Sequence, residues 1–144
     1  MAEPTDLLTQ MLQGLPHARA LNMRVVSAAE GVAEIAVPFD ARLVGDPATR
    51  VIHGGVVTTL LDTCCGVAVL SAPAKPKSTA TLDLRIDYMR AATPGREVVA
   101  RAECYRATRS VAFVRALAWD ETADDPVASA AGAFMIERGD GGAA

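Results

Sequence analysis

Two features of this chain have the residue types and spacing that could do chemistry. They are the run His53-Gly54-Gly55 and a carboxylate, Asp62, nine residues after the histidine. Between His53 and Lys75 the side chain of Asp62 carries the only formal charge. The apolar spacing after Gly55 predicts one long helix, and a helix with so little charge is expected to be buried nearly all round. An ionised carboxylate in that position is costly unless a partner compensates it.

The two glycines are expected at the N-terminus of this helix. The first amides of a helix have no internal partner and lie at the positive end of its dipole. Glycine also lets another molecule approach the backbone closely. Such a position suits an anion or a developing oxyanion. The alternative is a loop-to-helix junction that needs glycine only for its own geometry, and local chemistry alone favours that alternative.

Asp62 lies about two helical turns beyond the glycines, and Thr58 and Thr59 precede it by four and three residues. In one interpretation these hydroxyls satisfy a buried structural carboxylate. In the other, a partly desolvated carboxylate serves as a general base or nucleophile, and the residues favour neither. A metal site is disfavoured because only His17 could join His53 as a histidine ligand. No G-x-S-x-G motif indicates a serine nucleophile.

The elements that must position these residues follow from hydrophobic periodicity. A short amphipathic helix is predicted over residues 3–12, ended by Gly14 and Pro16, and a hairpin over residues 21–37. A loop, residues 40–52, leads to the central helix. Four strands follow, at residues 79–89, 98–105, 111–119 and 127–136. Strict alternation in the first of them places Thr81 and Leu84 on opposite faces. The order predicts an α+β fold: one domain whose antiparallel sheet wraps around one long central helix.

Composition fits a single globular domain of 144 residues, with 51% hydrophobic and 22% charged residues. A net charge of −3 provides no broad basic surface for nucleic acid or an acidic membrane. The apolar run after His53 is shorter than the roughly twenty residues of a membrane span, and no secretory signal is visible. The cysteines, Cys64, Cys65 and Cys104, form no metal-ligand pattern. We therefore expect a cytoplasmic protein that binds no metal, nucleic acid or membrane.

The segment His53-Gly54-Gly55-x6-Asp62-x3-Gly66-x-Ala68 resembles the hotdog-fold acyl-CoA thioesterases, and among them the PaaI-type (phenylacetic acid degradation) branch. The resemblance extends over residues 21–136 and includes the strand at residues 81–90, which a Pro-Gly turn follows. It implies a hotdog thioesterase-like domain at residues 17–138. An N-terminal helix and lead-in would occupy residues 1–16, and a flexible tail residues 139–144.

The resemblance implies hydrolysis of a medium-chain or aromatic acyl-CoA to the free acid and CoA. Asp62 would act as base or nucleophile, and the amides of Gly54 and Gly55, in the turn that begins at His53, would polarise the thioester carbonyl. Thr81 would help to place the water. The site would form between two subunits of a homodimer or a dimer of dimers, with the glycine turn of one facing Asp62 of the other. No cofactor is implied beyond the CoA of the substrate.

Five further residues are candidates for contacts with the substrate and its CoA: Thr58, Thr59, Met89, Arg90 and Arg109. An arginine can bind phosphate through paired hydrogen bonds. Arginines that are simply solvated in loops are an equally good explanation for each of the two positions.

One stretch departs from the family pattern. Members of this branch commonly carry an Asn in the loop before His-Gly-Gly, whereas residues 40–52 of this chain contain none. The nearest polar substitutes are Asp46 and Thr49, and an ionised Asp cannot donate a hydrogen bond. The departure favours an alternative function, a non-catalytic hotdog protein that binds acyl-CoA. A hotdog hydratase or dehydratase is a further alternative, but His53 directly before the glycines does not match the catalytic histidine of such enzymes.

Overall fold

The structure, a computed structural model, describes residues 3–139. Its elements in chain order are α1 (Pro4–Gln13), α2 (Pro16–Ala20), β1 (Arg24–Ala29), β2 (Val32–Val37), β3 (Val44–Asp46), β4 (Val51–Ile52), α3 (Gly54–Leu70), β5 (Ser78–Tyr88), β6 (Val98–Ala107), β7 (Val111–Trp119) and β8 (Ala128–Glu137). A short 3₁₀ helix, Ala41–Leu43, precedes β3. The tail predicted at residues 139–144 lies, after Gly139, outside the described residues. Within residues 3–139 no helix is long and apolar enough to cross a membrane.

Six strands form one antiparallel sheet in the order β1-β2-β6-β7-β8-β5. The long helix α3 packs against one face of this sheet and contacts β2, β5, β6 and β7. Small side chains on the inner face of the sheet let the helix approach closely; on β7 they are Ala112, Val114, Ala116 and Ala118. The predicted α+β fold, an antiparallel sheet around one long central helix, is confirmed.

The N-terminal region differs from the prediction. Pro16 does not simply end the first helix; it begins α2, in a first-turn position where its missing N–H is not needed. The following strand therefore starts at Arg24 instead of residue 21. Leu12 and Ala18 are buried in the same core as α3, so α1 and α2 are packed parts of the fold. Residues 40–52, predicted as a loop, include the 3₁₀ helix and the β3–β4 pair.

Strand β5 is irregular beside the candidate site. Its register with β8 shifts between Thr81 and Asp83, and Leu82 in the bulge is 60% exposed. The extra residue reverses the alternation of the strand, so Thr81 before the bulge and Leu84 after it line the same cavity. The prediction that these two residues face opposite sides is therefore wrong. Gly132 of β8 permits the close approach, since a Cβ there would lie 2.4 Å from the Asp83 carbonyl oxygen.

A buried ion pair ties the segment after β5 to the end of β7. Arg90 donates to both carboxylate oxygens of Asp120, at 2.7 and 3.0 Å, and the Thr93 N–H donates to the same group at 2.7 Å. The Asp120 side chain has no exposed surface. The hydrogen bonds from Arg90, and then the one from Thr93, hold the pKa of Asp120 far below its usual range. Arg90 Nε also lies 3.2 Å from the Asp125 carboxylate, without hydrogen-bond geometry. Arg90 is thus occupied within its own chain.

Arg90→Ala is expected to lower the free energy of unfolding by about 3 kcal/mol at neutral pH, because it leaves the buried Asp120 carboxylate without its partner. The pKa of Asp120 is lower in the folded state than in the unfolded state. The stability that the pair contributes is therefore present above the unfolded pKa of about 3.9 and lost as the pH falls toward the folded value. The difference between variant and wild type should shrink in acid. Urea unfolding at about pH 7 and about pH 3 measures both effects.

A matched control is available for this substitution. Arg24 makes an equally bidentate pair with Glu97, at 2.9 and 3.0 Å, but both side chains are exposed. Arg24→Ala should lower the free energy of unfolding by no more than about 1 kcal/mol. Equal losses for the two variants would contradict a structural role for the buried pair.

Candidate functional site

The central helix α3 is buried on one side only. The side that faces the sheet includes Leu60, Leu61, Cys64 and Ala68, all without exposed surface. The opposite side carries an open strip, which we define as Gly55, Thr58, Thr59, Asp62 and Gly66, whose members are half-buried or exposed. The prediction of burial on every side is therefore wrong for this strip, because the sheet covers the other side of the helix.

Asp62 is half-buried on the open strip and has a single side-chain partner among residues 3–139. Thr81 of β5 donates to its Oδ1 at 2.6 Å. The hydroxyls of Thr58 and Thr59 instead donate to backbone carbonyls four residues earlier, at 3.2 and 2.9 Å. The interpretation in which those two threonines satisfy the carboxylate is therefore wrong. Oδ2 accepts no hydrogen bond from the described residues and could take up a proton or attack a carbonyl carbon.

The carboxylate opens into a cavity of about 520 Å³ with mostly apolar walls. Strand β5 contributes Leu84 to this cavity, the turn between α1 and α2 contributes Leu15, and Thr58 and Thr59 of the open strip also line it. A second cavity, of about 390 Å³, borders Asp62 toward the C-terminal end of α3. Leu15 borders this cavity too. The turn between α1 and α2 was not predicted to reach the site, since contacts between distant segments leave no periodic signal in a sequence.

His53 caps the N-terminus of α3. Its Nδ1 accepts the N–H of Gly55 at 2.8 Å, so we assign the proton of the neutral ring to Nε2. A Cβ at residue 55 would lie 2.9 Å from Nδ1, which explains why glycine is needed there. The Gly55 amide is thus occupied within the chain. The Gly54 N–H has no acceptor among residues 3–139 and is the open donor of this turn.

Tyr88, the last residue of β5, stands beside Gly54. Its hydroxyl lies 3.2 Å from the Gly54 carbonyl oxygen, to which it can donate, and also contacts Thr58 Oγ1. A Cβ at Gly54 would meet Tyr88 Cε1 at 3.7 Å, an ordinary contact, and no other described atom within 4 Å. The chain itself therefore has room for a side chain here. Tyr88 was not among the predicted site residues, because strand alternation carries no signal for a hydroxyl partner on a helix.

The candidate residues form two groups at different positions along α3. We call His53, Gly54 and Gly55 the glycine half, and Asp62 with Thr81 the carboxylate half. Gly54 and Asp62 are eight residues apart, about 12 Å along the helix axis. Because helix N–H groups point toward the N-terminus, an oxygen bound to the Gly54 amide lies beyond the helix end and farther still from Asp62. One chain therefore does not direct both halves at a single carbonyl group.

The remaining predicted contacts are dispersed. Met89 is exposed and lines a cavity of about 280 Å³ together with Gly54. Arg109 is exposed in the turn between β6 and β7, where its carbonyl accepts a hydrogen bond from Arg138 Nε at 3.3 Å. That turn lies at the end of the sheet where β5 begins, opposite the Gly54 end. Arg90 is held by its own carboxylates. It lines the same cavity as Met89 and Gly54, so within one chain Arg109 is the residue of these three that lies away from the glycine half.

In the loop that lacks Asn, the two polar substitutes Asp46 and Thr49 are engaged with each other. Asp46 accepts the Ala48 N–H at 3.0 Å and the Thr49 hydroxyl at 2.9 Å. The backbone hydrogen bond from Ala48, followed by the one from Thr49, lowers the pKa of Asp46 below its usual range. The two polar substitutes are thus bound to each other. Among residues 3–139, no group of three or more His, Cys, Asp or Glu side chains is placed to hold a metal ion.

Comparison with known proteins found a family model, related sequences and similar solved structures. The family model of the thioesterase superfamily matches residues 50–127, a range that contains both halves of the site. A Halobacterium salinarum protein that is named as an esterase is 34% identical to this chain over 128 residues, which cover 83% of each chain. The medium/long-chain acyl-CoA thioesterase YigI of Escherichia coli is 28% identical over 137 residues, covering 85% of this chain and 86% of YigI. A solved structure of a mutant phenylacetic acid degradation protein PaaI from Thermus thermophilus is 27% identical with a TM-score of 0.73, covering 84% of this chain and 98% of that one.

Proposed function

Because this chain belongs to the thioesterase superfamily, whose members hydrolyse thioesters, we propose that its substrates are acyl-CoAs, which it converts to the free acid and CoA. The observation that carries the proposal is the Asp62–Thr81 pair, joined at 2.6 Å at the edge of a mostly apolar cavity. Apolar walls favour an apolar acyl group, of medium length or aromatic. The name of the relative YigI, a medium/long-chain acyl-CoA thioesterase, supports the medium chain length.

Asp62 serves in the proposed reaction as general base or as nucleophile. As a base, Oδ2 removes a proton from water, and the water oxygen attacks the thioester carbon. The carbonyl electron pair moves onto the oxygen, which accepts a hydrogen bond from the Gly54 N–H. Collapse of this tetrahedral intermediate then breaks the carbon–sulfur bond. The CoA thiolate leaves and is protonated. As a nucleophile, Oδ2 attacks the same carbon, CoA leaves, and water hydrolyses the resulting anhydride. Thr81 holds Oδ1 in place on both routes.

The glycine half and the carboxylate half of one site come, in this proposal, from two subunits. Support comes from β5, which forms one edge of the sheet and is eleven residues long. Two large side chains on this edge, Leu82 and Tyr88, are 60% and 52% exposed. A long exposed edge strand with apolar side chains is a template for pairing with another chain.

The position of the two halves along β5 fits such a pairing. Thr81 marks the carboxylate half, and Tyr88, near the other end of the strand, marks the glycine half. Antiparallel pairing of β5 with a second copy, about a two-fold axis near Leu84 and Arg85, sets Thr81 of one protomer beside Tyr88 of the partner subunit. Two equal sites result. The proposed assembly is a homodimer, or a dimer of dimers built from it.

A protein that binds acyl-CoA without hydrolysing it is the second candidate. The occupied Asp46–Thr49 pair favours it, because the thioester oxygen would then accept a hydrogen bond from Gly54 alone. Loss of one oxyanion donor lowers kcat by about 10²–10³-fold in a hydrolase. A missing donor is therefore compatible with a slow hydrolase as well as with a binding protein.

Release of free thiol from short, medium, long and aromatic acyl-CoAs, measured beside calorimetric binding of the same compounds, tests the proposal. We expect both binding and thiol release, with the highest rates for medium-chain or aromatic acyl groups. Binding without release across the whole panel would favour the binding protein. The absence of both would exclude acyl-CoA as the ligand.

A further inference from the structure

Tyr88 lies at the surface, but its polar end is turned toward the protein. The residue is 52% exposed, and its ring stands 3.7 Å from the position that a Cβ of Gly54 would take. Its hydroxyl donates to the Gly54 carbonyl at 3.2 Å. An exposed tyrosine can satisfy its hydroxyl with water at no structural cost. The contacts of Tyr88 with the first turn of α3 therefore indicate a function at that turn.

The hydroxyl oxygens of Tyr88 and Thr58 and the carbonyl oxygen of Gly54 form a triangle, in which two protons make two hydrogen bonds at a time. Each of the two hydroxyl oxygens lies 3.2 Å from the Gly54 carbonyl oxygen, and the hydroxyls also bond to each other. Each hydroxyl has one proton. When one hydroxyl donates to the other, the second is free to donate to the carbonyl. When either hydroxyl is removed, the other can still donate to the carbonyl, so the two side chains share the restraint of the Gly54 carbonyl.

The triangle restrains the residue that carries the open amide. Glycine has the largest backbone freedom of any residue, and hydrogen-bond donors stabilise an oxyanion best when they are fixed before the reaction. On one side, His53 holds the Gly55 N–H at 2.8 Å. On the other side, Tyr88 and Thr58 hold the Gly54 carbonyl. The Gly54 N–H lies between these two restraints.

We infer that Tyr88 is a positioning residue for thioester hydrolysis, which holds the Gly54 amide in its reactive direction through the triangle with Thr58. Its ring also forms one wall of the open space beside Gly54. The inference rests on the proposed function, since it assigns the role of a residue in that reaction. Tyr88 acts through Gly54 and transfers no proton to the substrate.

Steady-state kinetics of Tyr88→Phe, Thr58→Val and the double variant test the inference. Each single variant is expected to lower kcat by about fivefold to tenfold. A change of this size corresponds to the net free energy of one hydrogen bond. KM of Tyr88→Phe should change by less than about twofold, because Tyr88 does not line the apolar cavity beside Asp62. The double variant should lose more than either single variant, since neither hydroxyl then restrains the Gly54 carbonyl.

Two controls separate positioning from a general effect on the fold. Thr58→Ser keeps the hydroxyl and should recover most of the kcat that Thr58→Val loses. Thr9→Val removes a hydroxyl that donates to the carbonyl four residues earlier at 2.7 Å, the same local bond in the distant helix α1, and should leave kcat unchanged. Thermal unfolding of all variants should remain close to that of the wild type.

Each contrary result has a distinct meaning. If the wild type hydrolyses acyl-CoA and Tyr88→Phe does so at the same kcat, Tyr88 has no positioning role, and the proposed function stands. If the double variant keeps the kcat of Thr58→Val, the Tyr88 hydroxyl adds nothing to the restraint, which overturns the positioning role of Tyr88. If the variants with the lowest kcat are also those with the lowest unfolding temperature, Tyr88 has a structural role and the inferred positioning role is wrong. A wild-type protein without thiol release would overturn the proposed function and this inference with it.

Discussion

Asp62→Asn is expected to lower kcat for acyl-CoA hydrolysis by about 10²–10⁴-fold, the contribution that a positioned general base makes. The amide has nearly the shape of the carboxylate, and its oxygen can still accept the hydrogen bond that Thr81 donates to Asp62. It can neither take up the proton of a water molecule nor attack as an anion. Thiol release from the preferred acyl-CoA, measured at saturating substrate, gives the ratio of the two rates.

The fold and the binding of substrate should survive this change. Asp62 is half-buried, so we expect a difference of no more than about 1 kcal/mol in the free energy of unfolding. Asp124→Asn, in an exposed turn, removes the same charge from the surface and should leave kcat unchanged. Asp62→Ala should be as inactive as Asp62→Asn. Hydrolysis by Asp62→Ala at the wild-type rate would refute the proposed mechanism.

Mixing two inactive variants is expected to restore activity. Gly54→Ala should fold well, because a Cβ there meets only the Tyr88 ring at 3.7 Å and alanine favours a helix over glycine. Its methyl group would, however, occupy the open space in front of the amide, and we expect kcat to fall by about 10²-fold. In a hybrid dimer of Gly54→Ala with Asp62→Asn, one of the two sites has an intact Gly54 from one chain and an intact Asp62 from the other. Random pairing makes half of the dimers hybrid, so the mixture should recover about a quarter of the wild-type activity.

The mixing experiment needs proof that subunits have exchanged. Two different affinity tags, used in succession, isolate the hybrid dimer, which should have about half of the wild-type activity per dimer. A hybrid that is as inactive as its parents would place both halves of the site in one chain. Each variant alone, taken through the same exchange and purification, serves as the blank.

The sequence was most informative where one pattern dominates. The long helix Gly54–Leu70 and the last four strands were predicted within a few residues, because hydrophobic periodicity follows burial directly. The bulge at Leu82 could not be predicted, since a single extra residue leaves each half of the strand with an unbroken alternation. The second helix was missed because proline both ends one helix and starts another, and the local sequence does not distinguish the two.

The candidate site was predictable in its residue types and much less so in its contacts. The apolar run singled out Asp62, and family resemblance added Thr81; the structure contributes the 2.6 Å hydrogen bond between them. The occupation of the Gly55 amide by His53 depends on a ring orientation that spacing does not encode. Tyr88 reaches α3 from a strand thirty residues away, so its hydrogen bonds follow from the tertiary fold alone.

The bulge at Leu82 means that Thr81 and Leu84 are three residues apart in the sequence but occupy positions of the sheet that are two apart. Leu82 points away from the cavity, and its replacement would change the surface while it keeps the register of the strand. Its deletion would remove the bulge and leave Thr81 two residues before Leu84, so strict alternation would keep both on the face beside Asp62. A homologous gene could thus lose this codon and still pair Asp62 with a strand hydroxyl. Related chains that carry a hydroxyl residue either two or three residues before the counterpart of Leu84 can therefore make the same pair, the first in a regular strand and the second with a bulge.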